Sequence, residues 1–321
     1  MSSGCVQTLL LTTSNCIMWT INSISFWQVG IKMSNYPLFA NWIGIVPYLF
    51  IIPFIFFDKS PKSWKKHCLY ILCALFSTSD SVLEILADSS TGGVVQAICA
   101  TAIPIPLTGI LTWIVFKRRP TLFETIGSLI VIGASALLIF ESEGIYVDWW
   151  ITGYITGLMF GCVSSIIWEY MFIEYTANVF HLLAWTTLYS LPFYFLSIFI
   201  DGSQTFSKES NGFKCLFGTH APIGCLSNAW IPATIYSLSS LASDIIQMYF
   251  VKQDSAFFLI MADTLTTPLT AIIMSFTWLF GNAAEPLTWY STISCILVVL
   301  GIIVYKIGDK LCKRKMDPLS E

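Results

Sequence analysis

Ten apolar runs separated by polar stretches fill the chain, at 6–30, 36–57, 67–88, 91–116, 122–141, 150–173, 179–200, 229–251, 255–280 and 287–306. Each is close to the about 20 residues that an α-helix needs to cross the bilayer core. The pattern predicts an all-α membrane protein of ten transmembrane helices in a single domain over 1–321. Two longer polar segments stand out. Residues 201–228 are expected to be a loop, and residues 307–321 a tail.

Ten spans place both chain ends on one face of the membrane. Thirteen of the sixteen Lys and Arg residues then lie on that face, leaving Lys32, Lys208 and Lys214 opposite. The positive-inside rule makes the basic face cytosolic, with both termini there and 201–228 in a lumen. The first span has no basic stretch ahead of it and no small-residue cleavage site, so it reads as an uncleaved anchor. A composition of 55% hydrophobic and 11% charged residues, with mean hydropathy +0.73, leaves no room for a separate soluble domain. No basic stripe points to nucleic acid.

The two halves resemble each other. Pro106-Leu107-Thr108-Gly109-Ile110 in the fourth span matches Pro268-Leu269-Thr270-Ala271-Ile272 in the ninth, and Pro120 and Ser128 match Pro286 and Ser294. Five spans separate the copies, an odd number, so they run in opposite directions. This predicts a 5+5 inverted repeat, with five-helix halves over 6–141 and 150–306, the ground plan of many secondary transporters. Pro104, Pro106 and Pro268 would break helices near the midplane and serve gating; prolines that merely kink two lipid-facing helices are the alternative.

Ionisable residues inside spans are costly unless they face a bundle interior or water. The candidates are Asp80, Glu84 and Asp88 in the third span, Glu169 in the sixth, Asp244 in the eighth and Asp263 in the ninth. Asp80, Glu84 and Asp88 are four residues apart and share one helix face. Carboxylates crowded in a low dielectric compete for protons, which makes a proton relay an expectation. In the plainer reading, Asp88 sits in interfacial water and Asp80 bonds Ser or Thr neighbours. The spans hold almost no base, since Lys32 and Lys252 lie at helix ends and can snorkel. The expected cavity is anionic, which disfavours phosphate esters and suits cations, protons or neutral polar solutes.

Of ten cysteines, eight fall in spans or on the cytosolic side. Cys215 and Cys225 share the segment 201–228 and would close an eleven-residue ring in an oxidising lumen. Two free thiols are the alternative. His220 has no clustered partner and reads as a surface residue, so no metal site is expected. No phosphate loop, His-Glu-x-x-His or nucleophile triad is present, and an enzyme is not expected.

Asn211-Gly212-Phe213-Lys214-Cys215-Leu216-Phe217-Gly218 resembles the lumenal segment of the chloroquine resistance transporter family, within the drug/metabolite transporter superfamily. Asn22-Ser23-Ile24 with Lys32 and Asn35-Tyr36 is similar to that family's first span and loop. Trp168-Glu169-Tyr170-Met171-Phe172, Asp244 and Pro268 resemble its sixth-, eighth- and ninth-span motifs. The chain looks like an apicomplexan or other protist homologue. It departs from the family pattern at Ser23, where a member can carry a Lys governing drug passage, and at Thr266-Thr267, which replace Gln-Gly. It also has two lumenal cysteines in place of four, and Glu84 and Asp263 look unmatched.

The resemblance implies a cavity opening alternately to the cytosol and to an acidic vacuole or lysosome-like lumen. It implies proton-linked export of amino acids, short peptides or cationic drugs to the cytosol. In this reading Asp80 and Glu84 handle protons, and Glu169, Asp244 and Asp263 set the cavity charge. Asn22 and Ser23 line the substrate path, and the proline breaks gate it. The proton gradient replaces any cofactor, and the partners are a small-molecule substrate and the lipid bilayer, with the protein a monomer or weak oligomer. The rivals are a carrier for thiols such as glutathione or for sugar phosphates, and a non-transporting membrane scaffold.

Overall fold

A computed structural model of the chain describes residues 3–33, 36–57, 63–88, 99–137, 150–197, 205–218, 228–276 and 288–316. The described residues form helices and no β-strand. In order these are α1 (Ser3–Lys32), α2 (Pro37–Ile45), two 3₁₀ segments (Val46–Phe50 and Ile52–Phe57), α3 (Trp64–Asp88), α4 (Pro104–Phe116) and α5 (Leu122–Ala136). Then follow α6 (Trp150–Glu174), α7 (Val179–Ser197), α8 (Thr205–Leu216), α9 (Trp230–Gln253), α10 (Ala256–Asp263), α11 (Thr266–Met274) and α12 (Trp289–Met316).

Every predicted span has a helical counterpart, but the boundaries differ for physical reasons. In the second, Pro47 and Pro53 cannot donate backbone hydrogen bonds, and the α-helix gives way to 3₁₀ turns after Ile45. The ninth splits between Asp263 and Thr266, two residues ahead of Pro268, and the Thr266 hydroxyl caps the break by donating to the Asp263 carbonyl at 2.6 Å. The fourth is interrupted at Ile103, where Pro104 takes the first helical position of α4. Within 201–228, α8 occupies Thr205–Leu216. Within 307–321, α12 continues through its Lys-rich end to Met316.

Five helical stretches are long and apolar enough to cross a membrane: Trp64–Ala87, Cys99–Phe116, Trp150–Glu174, Val179–Ser197 and Ala256–Met274. Shorter apolar helices run over Asn41–Phe57, Leu122–Ala136 and Thr292–Lys306. The 30-residue α1 and the 24-residue α9 have the length but are less apolar. Their polar residues turn inward: Asn15, Thr20, Asn22 and Ser25 of α1 and Ser237, Ser239, Ser243 and Gln247 of α9 are buried. Large apolar side chains such as Phe56 (89% exposed) and Trp289 (82%) point outward, as lipid-facing residues do.

The helices divide into two compact units. The first comprises Met1–Ser90 and Trp149–Ala256, the second Thr91–Asp148 and Phe257–Glu321. In the first unit, α3 packs along α6 and α7, and α1 packs along α9, with α2 and the 3₁₀ segments filling in against α9 and α7. In the second, α5 packs along α12.

Small residues permit the closest approaches. A Cβ on Gly127 of α5 would stand 2.6 Å from the Gly301 carbonyl of α12 and 2.9 Å from the Tyr305 backbone N. On α6, Gly153, Gly157 and Gly161 recur every four residues, and α3 lies in the furrow over the last two. The start of α5 is fixed by a reciprocal cap. Thr121 Oγ1 accepts from the Glu124 amide at 3.2 Å while Glu124 Oε2 accepts from the Thr121 amide at 2.6 Å, and Arg118 pairs with Glu124 at 2.7 Å.

Candidate functional site

A cavity of ≈ 100 Å³ lies inside the first unit. Five helical segments build it, four of them through positions that recur on one face. The second span contributes Asn41, Gly44, Ile45 and Tyr48, and α3 contributes Ala74, Ser77, Thr78 and Ser81. From α7 come Leu183, Thr186, Thr187, Ser190 and Tyr194, from α9 Tyr236, Ser240, Asp244 and Met248, and from α6 Trp168. Spacings of three, four and seven put such residues on a single helix face.

The wall is mostly hydroxyl and phenol, with one carboxylate and no Lys or Arg. Asp244 Oδ2 accepts a 2.8 Å hydrogen bond from the Tyr48 phenol, which also lies 3.1 Å from Ser240 Oγ. This ties the irregular end of the second span to α9. Ser81 Oγ of α3 pairs with Asn41 Oδ1 of α2 at 3.0 Å, and Ser77 Oγ of α3 donates to Ser164 Oγ of α6 at 3.1 Å. Asn41 Nδ2 and Thr78 Oγ1 are buried and have no hydrogen-bond partner among the described residues. Buried polar groups without partners are uncommon and costly.

Of the residues expected in a substrate cavity, Asp244 is on its wall. Asn22 stands beside it, where its amide donates to the Tyr236 carbonyl (3.3 Å) and lies 3.4 Å from Ser239 Oγ, joining α1 to α9. The Ser23 hydroxyl turns back to the Trp19 carbonyl at 3.0 Å. Glu169 is buried and accepts from the backbone amide of Ala256 at 2.9 Å, capping the first residue of α10. A carboxylate there satisfies a free helical N–H and complements the positive end of the helix dipole. Asp263 belongs to the second unit and lies at the break between α10 and α11.

Asp80 lies on α3 away from the cavity wall, packed into the glycine furrow of α6. A Cβ on Gly161 would come within 2.6 Å of its Oδ2, and its Oδ1 has no hydrogen-bond partner among the described residues. Glu84, one turn on, is near enough for its charge to act on Asp80. Pro104 opens α4 with Pro106 in its first turn, and Pro268 lies in the first turn of α11, just after the break. Cys215 is fully buried in a cluster with Val29, Met33, Phe39 and Ala233, whereas Cys225 and His220 lie outside the described residues. Among the described residues Cys16, Cys68, Cys73, Cys99, Cys162 and Cys295 are not disulfide-bonded, and no group of three metal-ligating side chains occurs.

Reading the sequence by charge missed most of this wall. Tyr48, Tyr194 and Tyr236 are neutral, and the hydroxyl residues cost little in a span, so neither stands out singly. The available signal was the helical spacing of polar residues, as in Ser77-Thr78-Ser81 and Thr186-Thr187-Ser190-Tyr194.

A helical membrane protein with a polar cavity that carries one carboxylate fits a carrier of small solutes. Residues 8–305 match the CRT-like (chloroquine-resistance transporter-like) family, and the chain belongs to that family of membrane transporters. Crt homolog 1 of Dictyostelium discoideum is 24% identical over 371 aligned positions, covering 98% of this chain and 77% of its own. Crt homolog 3 of the same organism is 24% identical over 347 positions, covering 94% and 72%. A protein of known crystal structure has a TM-score of 0.59 at 10% identity, covering 95% of this chain and 99% of that one, a likeness of fold alone.

Proposed function

We propose that this transporter is a proton-coupled, alternating-access carrier of small cationic or neutral polar solutes, built from ten spans as a 5+5 inverted repeat. The observation that carries the solute class is the cavity wall, where Asp244 stands among phenols and hydroxyls with no base. A phosphate ester would want Arg or Lys in that position.

Several features support the inverted repeat. Both halves divide at the same place, giving their first three spans to the first unit and their last two to the second. Exchanging each span for the one five places on converts the α1–α9 packing into α6–α3, α2–α9 into α7–α3, and α5–α12 into itself. The helix breaks at Ile103 and at Thr264–Leu265 match at the 162-residue offset of the proline motif. Ser79-Asp80 and Ser243-Asp244 also correspond, 164 residues apart, so the furrow carboxylate and the cavity carboxylate hold equivalent places in the third and eighth spans.

On this reading Asp244 meets the solute, Asp80 with Glu84 takes up and releases the coupled proton, and the proline breaks let spans four and nine rock. Glu169 and Asn22 hold the helices that frame the cavity. Both termini are cytosolic by the charge asymmetry. The family resemblance suggests a vacuolar or lysosome-like membrane, export of amino acids, short peptides or cationic drugs from lumen to cytosol, and a Cys215–Cys225 bridge. At ≈ 100 Å³ the cavity is below the ~300–1,000 Å³ of drug-sized pockets, so a drug-sized cation requires a more open state.

The test is uptake of radiolabelled basic amino acids and a weak-base drug into liposomes, with and without a pH gradient, for wild type, Asp80→Asn and Asp244→Asn. The expected result is gradient-dependent uptake that loses its response to the gradient in Asp80→Asn and its affinity for cations in Asp244→Asn. Uptake indifferent to pH and to both substitutions would refute the mechanism.

A further inference from the structure

Two basic segments of the second unit converge at one end of the α5–α12 pair. A Cβ on Gly127 of α5 approaches the Gly301 carbonyl and the Tyr305 backbone, and one on Gly301 of α12 approaches Val131, so the two helices run antiparallel. Pro120 lies seven residues before Gly127, and Lys310 lies seven beyond the middle of Gly301–Tyr305. At about 1.5 Å per residue both stand about 10 Å past that contact, which brings the turn 117–121 level with the last turns of α12.

The turn is fixed by the reciprocal cap of Thr121 and Glu124, and it displays charge. Arg118 is occupied by Glu124 at 2.7 Å, while Lys117 and Arg119 are exposed. Lys117 closes α4 at φ 55°, in the left-handed region where glycine is usual, so a cation is kept there at a conformational cost. On α12, Ile296, Val299, Leu300 and Ile303 form an exposed apolar stripe. Steps of three, four and seven carry that stripe to Lys310 and Arg314, with Lys313 at its edge, whereas Asp309 takes the register of Tyr305 on the α5 side. Lys306 lies 3.8 Å over the Phe258 ring and belongs to the packing. Exposed Leu122, Ile126 and Leu129 give α5 an apolar stripe of its own, starting beside the turn.

We infer that Lys117 and Arg119, together with Lys310, Lys313 and Arg314, bind the headgroup of an anionic phospholipid whose acyl chains lie along the exposed stripes of α5 and α12. Charge complementarity selects this lipid. Each Lys or Arg near the surface favours an anionic bilayer by about fivefold, and the bases gathered here favour a phosphomonoester headgroup over zwitterionic phosphatidylcholine. The orientation proposed above puts this end in the cytosol, where the leaflet is anionic. The site does not depend on the solute reading.

The test is native mass spectrometry of the purified full chain in a neutral detergent, titrated with phosphatidylinositol 4-phosphate or phosphatidylcholine. Wild type is expected to bind the anionic lipid more than ~10-fold more tightly. Lys310→Gln/Lys313→Gln/Arg314→Gln weakens that binding about 100-fold and Lys117→Gln/Arg119→Gln about 25-fold, at about fivefold per charge. Phosphatidylcholine binding stays unchanged in both, which loss of fold would not allow. Lys59→Gln/Lys62→Gln/Lys65→Gln, which removes as many cations from the first unit, leaves the anionic lipid bound as in wild type. Soluble inositol 1,4-bisphosphate, a headgroup without chains, competes weakly. The inference is overturned if wild type does not prefer the anionic lipid, or if the first-unit triple variant weakens it as much as the α12 triple, an effect of net charge alone. It is equally overturned if the soluble headgroup competes as well as the lipid, which would make the ligand a free phosphate.

Discussion

Gly127→Ala and Gly133→Ala place the same methyl group on the same helix, α5, in opposite surroundings. At Gly133 a Cβ meets nothing within 4 Å. Removing a helix-interior glycine there should stabilise by about 0.5–1 kcal/mol through reduced backbone freedom of the unfolded chain. At Gly127 the new Cβ would sit 2.6 Å from the Gly301 carbonyl oxygen, 2.9 Å from the Tyr305 backbone N and 3.0 Å from Tyr305 Cβ. Two of these are backbone atoms and cannot rotate away, so α5 and α12 must separate along their shared face. Overpacking typically costs about 1–3 kcal/mol, which exceeds the propensity gain and leaves Gly127→Ala destabilised by roughly 1–2 kcal/mol. Thermal unfolding in one detergent or nanodisc system should show Gly133→Ala melting at or above wild type and Gly127→Ala several degrees below. Equal melting temperatures, or a Gly127→Ala protein more stable than wild type, would refute the backbone contact between α5 and α12.

Glu169→Ala should destabilise by about 1–3 kcal/mol because the Ala256 amide loses its acceptor, whereas Glu169→Gln keeps a carbonyl there and should lose less. Paired melts check it, and equal losses would mean that the charge, not the hydrogen bond, is what matters. Tyr48→Phe removes the donor to Asp244 and should change solute affinity by about threefold to tenfold while altering the melting temperature little, read by ligand titration. Gly161→Ala should displace the Asp80 carboxylate, whose Oδ2 would lie 2.6 Å from the new methyl, and reduce gradient-driven uptake more than it reduces stability. Gly212→Ala would set a Cβ 2.7 Å from the Phe39 ring and should loosen α8 from its seat, seen as faster proteolysis within 205–216.

Much of the fold was legible in the sequence because a bilayer leaves few choices. Backbone hydrogen bonds must close within each span, so apolar runs of the right length become helices, and hydropathy alone marks their positions. The breaks at Pro104 and ahead of Pro268 were readable for the same reason, since proline supplies no donor. The helix over Thr205–Leu216 was not, because an amphipathic segment rich in Ser, Lys and Glu looks like a loop until Phe213 and Cys215 find the apolar seat made by Phe39, Val29 and Met33. The site was legible only in part. Charge marks residues that need a reason to be in a membrane, and it found Asp244. It could not tell which acids face a cavity: Glu169 turns to the Ala256 amide, and Asp80 lies in the furrow of Gly157 and Gly161. The sequence by itself determined where the helices run and that the interior is acidic, because both follow from local hydropathy and composition. Which hydroxyls, phenols and amides from five separated segments share one wall was decided only by tertiary packing, because that depends on how the helices rotate about their axes, and neighbours far apart in the chain set that rotation.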